Sequence, residues 1–155
     1  MAMDEGAKQQ YQHILQTLKG VDFFTKFNMG ELEELMQHIK KLACPKGHVI
    51  IKEGQSGDAF YMIYSGKVSI WKKKGFFGKT QLAFLGPDQF FGEMALATNA
   101  PRTATVIAEE TCELFVLYSS DFRQILMKNP AIAREIDDIL KQRQANTIIK
   151  LKEKK

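Results

Sequence analysis

Residues 48–72 read HVIIKEGQSGDAFYMIYSGKVSIWK, and the fold turns on how this stretch is parsed. Apolar and β-branched side chains come in short runs, His48 to Lys52, Ala59 to Tyr64 and Lys67 to Lys72, separated by Gly54, Gly57 and Gly66. Runs this short, rich in Val, Ile, Phe and Tyr and bounded by glycine-bearing turns, predict strands. The same punctuation continues through Gly75, Gly78, Gly86 and Gly92, with further strands expected at Gln81 to Leu85, Ala104 to Ala108 and Cys112 to Leu117. Short antiparallel strands at such spacing predict a β-sandwich or jelly roll over residues 45–118.

Outside this region the apolar period changes. Tyr11, Ile14, Leu15 and Leu18, then Leu32, Leu35, Met36 and Ile39, recur at helical spacing, so residues 1–44 read as a helical segment with two amphipathic helices. Phe23, Phe24 and Phe27 form an aromatic elbow between them, and Pro45 and Gly47 end the pattern. Helical character returns over residues 119–155. Ser119, Ser120 and Asp121 offer N-caps, with Gln124 three positions beyond Asp121 and Phe122, Ile125 and Leu126 as an apolar face. Asn129 and Pro130 interrupt it, and a last helix from about Ala131 presents Ile132, Ile136, Ile139 and Leu140, with Arg143 on the same stripe.

With 155 residues, 45% hydrophobic and 26% charged, the chain fits one domain, residues 1–155, with an ordinary core. The net charge of +4 is concentrated in Lys72 to Lys74 and Lys150 to Lys155. Lysine runs of this length are ordinarily solvated surface, the alternative being a patch that attracts an anionic membrane or a nucleic acid. Trp71, Phe76 and Phe77 read as core packing or a dimer contact rather than a cofactor box. Cys44 and Cys112 match no metal spacing and suit small buried groups in a reducing compartment. His13, His38 and His48 are scattered, and no metal site is expected. Neither a signal peptide nor a spanning segment is visible, so a cytoplasmic location without membrane insertion is expected.

The chemistry concentrates in residues 91–106, FGEMALATNAPRTATV, which interrupt the strand pattern. Small residues at Gly92, Ala95 and Ala97 permit a short helical turn close to a ligand, with backbone amides suited to an anion. Arg102 adds a permanently charged fork of donors matched to two phosphate oxygens. Glu93 would repel a bare phosphate, but fits a ligand that also carries a hydroxyl able to donate to it.

This run closely resembles the phosphate-binding cassette of the cyclic nucleotide-binding domain family. The likeness extends to Gly54-Gln55-Ser56-Gly57-Asp58-Ala59-Phe60-Tyr61, to the Ser65-Gly66 hairpin and to Asp121-Phe122 leading into Asn129-Pro130, about Leu18 to Arg143 in all. The resemblance implies a mainly β fold, an antiparallel jelly roll (double-stranded β-helix) with N-terminal helices and a C-terminal lid helix. It implies cAMP or cGMP as ligand, with no further cofactor. Glu93 would meet the ribose 2′-OH and Arg102 the cyclic phosphate, with Gly92, Met94 and Ala95 contributing backbone contacts. Thr103 occupies a position where a hydroxyl reaches guanine in some members, and it leaves the base undecided. Arg143 matches the position of a lid-helix arginine that approaches the base in channel-type members; a snorkelling arginine or an ion pair with Asp138 or Glu135 is the other reading. Ile139, Leu140 and Phe84 are candidates for apolar support of the base. Leu96 and Phe122 match an apolar contact that couples the cassette to the last helix.

A metal-dependent jelly-roll enzyme is the competing class, but the strand region holds only His48, with no HExxH or GxSxG motif. A degenerate domain kept for protein contacts is a further alternative. Direct nucleic-acid reading is not expected, because only a short lysine-rich stretch follows Ile149. The initial Met favours a stand-alone protein over an excised piece of a channel or kinase. A sensor of this kind is expected to pass its output to a protein effector contacting the last helix or the N-terminal helices, or to a self-association that ligand alters.

Overall fold

A computed structural model of the chain describes residues 4–153, with side chains through residue 142. Helix α1 (Glu5–Lys19) is capped by Asp4, whose carboxylate accepts the Ala7 N–H at 2.7 Å. A 3-10 turn (Asp22–Lys26) buries Phe23 and Phe24. Helix α2 (Met29–Met36) opens on a capping box, in which the Asn28 side chain accepts from Glu31 N–H and Glu31 accepts from Asn28 N–H, both at 2.8 Å.

Eight strands follow: β1 (Lys40–Cys44), β2 (Val49–Ile51), β3 (Ala59–Ser65), β4 (Val68–Lys74), β5 (Gly78–Leu85), β6 (Phe90–Phe91), β7 (Thr105–Ala108) and β8 (Cys112–Tyr118). They form two antiparallel four-stranded sheets, ordered β1-β8-β3-β6 and β2-β7-β4-β5, the expected jelly roll. A short helix α3 (Met94–Ala97) lies between β6 and β7, and α4 (Ser119–Met127) and α5 (Pro130–Glu153) close the chain.

All six strands read from the sequence are present, with ends shifted by up to three residues. Two others escaped the pattern. Residues 40–44 belong to β1, not to the helical segment: α2 stops at Met36, and Lys40 through Cys44 pair in register with Val116 through Cys112. Its sequence Lys-Lys-Leu-Ala-Cys has little apolar alternation because β1 is an edge strand, where lysines discourage further pairing. Strand β6 is two residues long, below the reach of any period.

Two apolar clusters divide the interior. Alternate residues of β3 serve them in turn: Ala59, Tyr61 and Ile63 point into the barrel, Phe60 and Met62 towards the helices. Strand β8 does the same, with Leu114 and Val116 inward and Phe115 and Leu117 outward. The helical cluster gathers Leu18, Phe24, Leu35, Phe122, Ile132 and Ile136. The Phe24 ring lies 5.7 Å from that of Phe122 and 5.9 Å from that of Phe60.

Three local expectations are corrected. Helix α4 begins at Ser119, and none of the candidates Ser119, Ser120 and Asp121 is its N-cap. Its N-cap is Tyr118, without a side-chain bond, while Ser119 directs both its N–H (2.9 Å) and its Oγ (3.1 Å) to the Asp58 carbonyl. Phe76 and Phe77 are not core residues, being 98% and 104% exposed. Trp71 is only half-buried on β4, its indole N–H donating to Ser69 Oγ at 2.8 Å.

Candidate functional site

Strand β6 aims the chain into the cassette. Phe91 stacks on Tyr61 with ring centroids 5.1 Å apart and planes 14° from parallel, anchoring β6 on the barrel interior. The next residue, Gly92, turns the chain away with φ 81°, and a Cβ there would lie 2.8 Å from Arg102 Nη1. Both facts demand glycine. The second half of the cassette is zipped to the β2–β3 loop: Gly54 N–H donates to Arg102 O (2.8 Å), Arg102 N–H to Gln55 O (2.7 Å), and Glu53 N–H to Thr105 Oγ1 (3.0 Å). Ser56 and Pro101 form an isolated bridge.

The Arg102 side chain is held between these segments. It donates from Nη2 to the Ala59 carbonyl at 2.6 Å and from Nη1 to the Gly92 carbonyl at 3.2 Å. Gly57 lies on its other side, where a Cβ would come within 2.8 Å of Ala95 Cβ and 3.1 Å of Arg102 Cζ. Gly57 has an ordinary φ, so close approach rather than backbone conformation requires glycine here. Burial lowers the guanidinium pKa, opposed by the charges of Tyr61, Asp58 and Glu93, and the group remains a cation at neutral pH. The Tyr61 phenol is pushed up, chiefly by burial and then by Asp58, while Arg102 pulls the other way.

A cavity of about 390 Å³ opens beside this arginine. Gly92, Glu93, Met94, Ala95, Arg102 and Thr103, all singled out from sequence, share its wall. Sequence reasoning missed the apolar strand residues of the wall, Ile51, Ile70, Leu82 and Leu85. A bulge in the β4–β5 ladder pairs Ile70 with Ala83 and Trp71 with Gln81, skipping Leu82, which joins that wall with Leu85; a period-two reading cannot foresee the slip. The lining therefore combines a guanidinium and a carboxylate with mostly apolar side chains. It suits a ligand carrying an anion and a hydroxyl beside a flat apolar group.

The other expected contributors lie elsewhere. Phe84 does not line the cavity; it is 48% exposed with the Lys67 ammonium 4.1 Å above its ring. Leu140 is buried in the helical cluster with Ile139 packed against it, and neither lines the cavity. The side chain of Arg143 is outside the described residues. Leu96 and Phe122 are both buried in that helical cluster. Helix α3 thus faces two ways: Met94 and Ala95 on the cavity, Leu96 on the cluster that holds Ile132, Ile136 and Leu140 of α5. Among the described residues, no group of three His, Cys, Asp or Glu side chains could hold a metal ion, and no helix is long and apolar enough to cross a membrane.

Comparison with known proteins agrees with the fold. A model of the cyclic nucleotide-binding domain matches residues 41–129, which include the whole cavity wall, and the chain belongs to that family. It is 35% identical over 118 residues to a cyclic nucleotide-gated potassium channel of Mesorhizobium japonicum, covering 76% of this chain and 31% of the channel. It is 29% identical over 126 residues to the cyclic AMP receptor protein of Thermus thermophilus, covering 81% of this chain and 58% of that protein. Among solved structures, the regulatory domain of Toxoplasma gondii PKA with cAMP matches at a TM-score of 0.70 and 27% identity, covering 80% of this chain and 46% of that one. The chain spans less than two thirds of the length of each of these relatives.

Proposed function

We propose that this chain is a receptor for a 3′,5′-cyclic nucleotide, and that binding is relayed through α3 to α5 and from there to a protein effector. The observation that carries the reading is the placement of Arg102, fixed between Gly57 and Gly92 in the wall of a cavity whose lining is otherwise largely apolar. Its two backbone bonds engage two of five N–H groups, and the remainder can meet the equatorial oxygens of a cyclic phosphate. Glu93 accepts the ribose 2′-OH, the backbone at Gly92, Met94 and Ala95 borders the sugar phosphate, and Leu82, Leu85 and Ile70 pack on the base. Thr103 lies at the rim near the base, and Arg143 is the candidate to cap it. The names of the relatives make cAMP the first ligand to try, with cGMP beside it. Among the described residues no group of three His, Cys, Asp or Glu side chains could hold a metal ion, and the reading makes the protein a receptor rather than a catalyst.

The relay follows from the two faces of α3. A ligand that draws the backbone at Ala95 towards its phosphate and Glu93 towards its ribose hydroxyl moves Leu96 with them, and Leu96 shares a closed cluster with Phe122 and the apolar stripe of α5. Packed clusters have discrete arrangements, so ligand shifts the population of α5 positions. Calorimetric titration of refolded, ligand-stripped protein with cAMP and with cGMP tests the first half; micromolar or tighter binding to either is expected. Amide exchange along α5 tests the second, and exchange unchanged at saturating ligand would refute the relay.

A further inference from the structure

The β4–β5 hairpin has a composition that the fold does not use. Strand β4 pairs with β7 only as far as Trp71 opposite Thr105. Beyond that the ribbon pairs only with itself, through Lys72–Thr80, Lys73–Lys79 and Lys74–Gly78. Every residue from 72 to 82 is exposed. The tip is Gly75-Phe76-Phe77-Gly78, with both phenylalanines fully in solvent and their ring centroids 6.5 Å apart. Scattered exposed apolar residues are ordinary, but two adjacent bare aromatics at the end of a projecting ribbon are not.

The lysines around the tip are equally uncompensated. Lys73 and Lys79 stand directly opposite each other, a like-charge cross-strand pair that costs stability. Lys72 and Lys74 occupy the other face. Among the described residues none of the four takes an ion pair; Glu53, which reaches the ribbon, accepts the backbone N–H of Lys73 at 2.9 Å, and Lys79 lies 4.7 Å over the Trp71 ring.

We propose that this hairpin docks the protein on an anionic lipid surface, with Phe76 and Phe77 in the headgroup and acyl boundary and the lysine collar against the lipid phosphates and carboxylates. An apolar wedge in a cationic ring answers a surface that is negative outside and apolar just beneath. A second copy of the chain fits less well, because two phenylalanine tips bury far less than the ~1,200 Å² of a stable interface, and the lysine collars repel. A single-stranded nucleic acid asks for a basic groove that tracks its backbone, and a ribbon tip offers none. From Phe76 to Leu82 the strand spans roughly 20 Å at about 3.3 Å per residue. The cavity mouth thus stays in water, and lipid and nucleotide bind together.

The test is co-sedimentation with vesicles of phosphatidylcholine alone and of phosphatidylcholine with one third phosphatidylserine. The chain's one tryptophan, Trp71, serves as a fluorescence reporter at the base of the ribbon. Binding is expected only to the phosphatidylserine vesicles, weakening steeply with added salt, with the Trp71 emission unshifted because the base of the ribbon stays in water. Each lysine near the surface contributes about fivefold to partitioning, so Lys72→Gln/Lys73→Gln/Lys74→Gln/Lys79→Gln loses roughly six-hundredfold. Phe76→Ser/Phe77→Ser, which alters only solvent-facing side chains, keeps the melting temperature and loses binding by about tenfold or more. Sedimentation with neither vesicle, or equally with both, overturns the proposal. So does retention of full binding by Phe76→Ser/Phe77→Ser. Lipid-free self-association abolished by that variant would assign the tip to a second copy, and binding of a single-stranded oligonucleotide in place of vesicles would assign it to nucleic acid.

Discussion

The two sheets of the jelly roll share one interior but differ on their outer faces. In the β1-β8-β3-β6 sheet the helices cover the outside, and β3 is buried at every position from Ala59 to Ile63. In the β2-β7-β4-β5 sheet the outside is bare, and no residue of β5 is fully buried. The doubly covered sheet supports the helical cluster and, with it, the path from α3 to α5. The singly covered sheet provides the apolar cavity wall and projects the lysine-rich ribbon. One barrel thus keeps transmission and exposure on opposite sides.

That contrast is open to direct tests. The largest expected effect is Phe122→Ala, which removes a fully buried ring from the covered side and costs about 3–5 kcal/mol of stability by denaturant unfolding. A loss below about 1 kcal/mol would mean that the helices are only loosely attached. Next comes Arg102→Ala, expected to weaken cyclic nucleotide binding by about 2–5 kcal/mol in calorimetry, the range for removing one partner of a desolvated charge pair. Glu93→Ala is expected to cost less, about 1–3 kcal/mol, and to narrow the preference for cAMP over its 2′-deoxy analogue; an unchanged preference would remove Glu93 from the ribose. On the bare sheet, Leu82→Ala is expected to leave stability within about 0.5 kcal/mol and to weaken ligand by about 1 kcal/mol through lost apolar contact. A stability loss as large as that of Phe122→Ala would erase the distinction between the sheets.

The same distinction explains what could be read from the chain. Strands buried on one or both faces, such as β3 and β8, carry dense apolar runs and were legible. Strand β1 lies at an edge with four exposed residues, so its sequence does not betray it, and Met36 and Ile39 prolong a helical stripe that the structure ends at Met36. The capping box of α2 was legible in principle as Asn28 followed three residues later by Glu31. Within the site, the cassette residues carry their chemistry in their identity. Gly57 does not: its role appears only when the β2–β3 loop is laid against Arg102. Leu82 depends on a bulge, and Phe84, one step out of phase beyond it, turns to solvent under Lys67. Side-chain identity is local, whereas register is a property of the pair of strands.

The smallest expected effect concerns the inner face of the covered sheet. Cys44 and Cys112 are register partners on β1 and β8, both free and both buried. Burial raises each thiol above its ordinary value of 9.0, and for Cys44 the neighbouring Cys112 adds to the effect. The folded state therefore holds these protons at a pH where the unfolded chain releases them. Their contribution is complete below about pH 9 and is lost as pH rises through the raised folded values. Stability should thus fall with rising pH in the alkaline range, and Cys44→Ala/Cys112→Ala should flatten that part of the profile relative to the native chain. Maleimide labelling at neutral pH should proceed only as fast as the protein opens. Rapid labelling of the folded protein would show that the inner face of the β1–β8 pair admits solvent, and the covered sheet would then be no better sealed than the bare one.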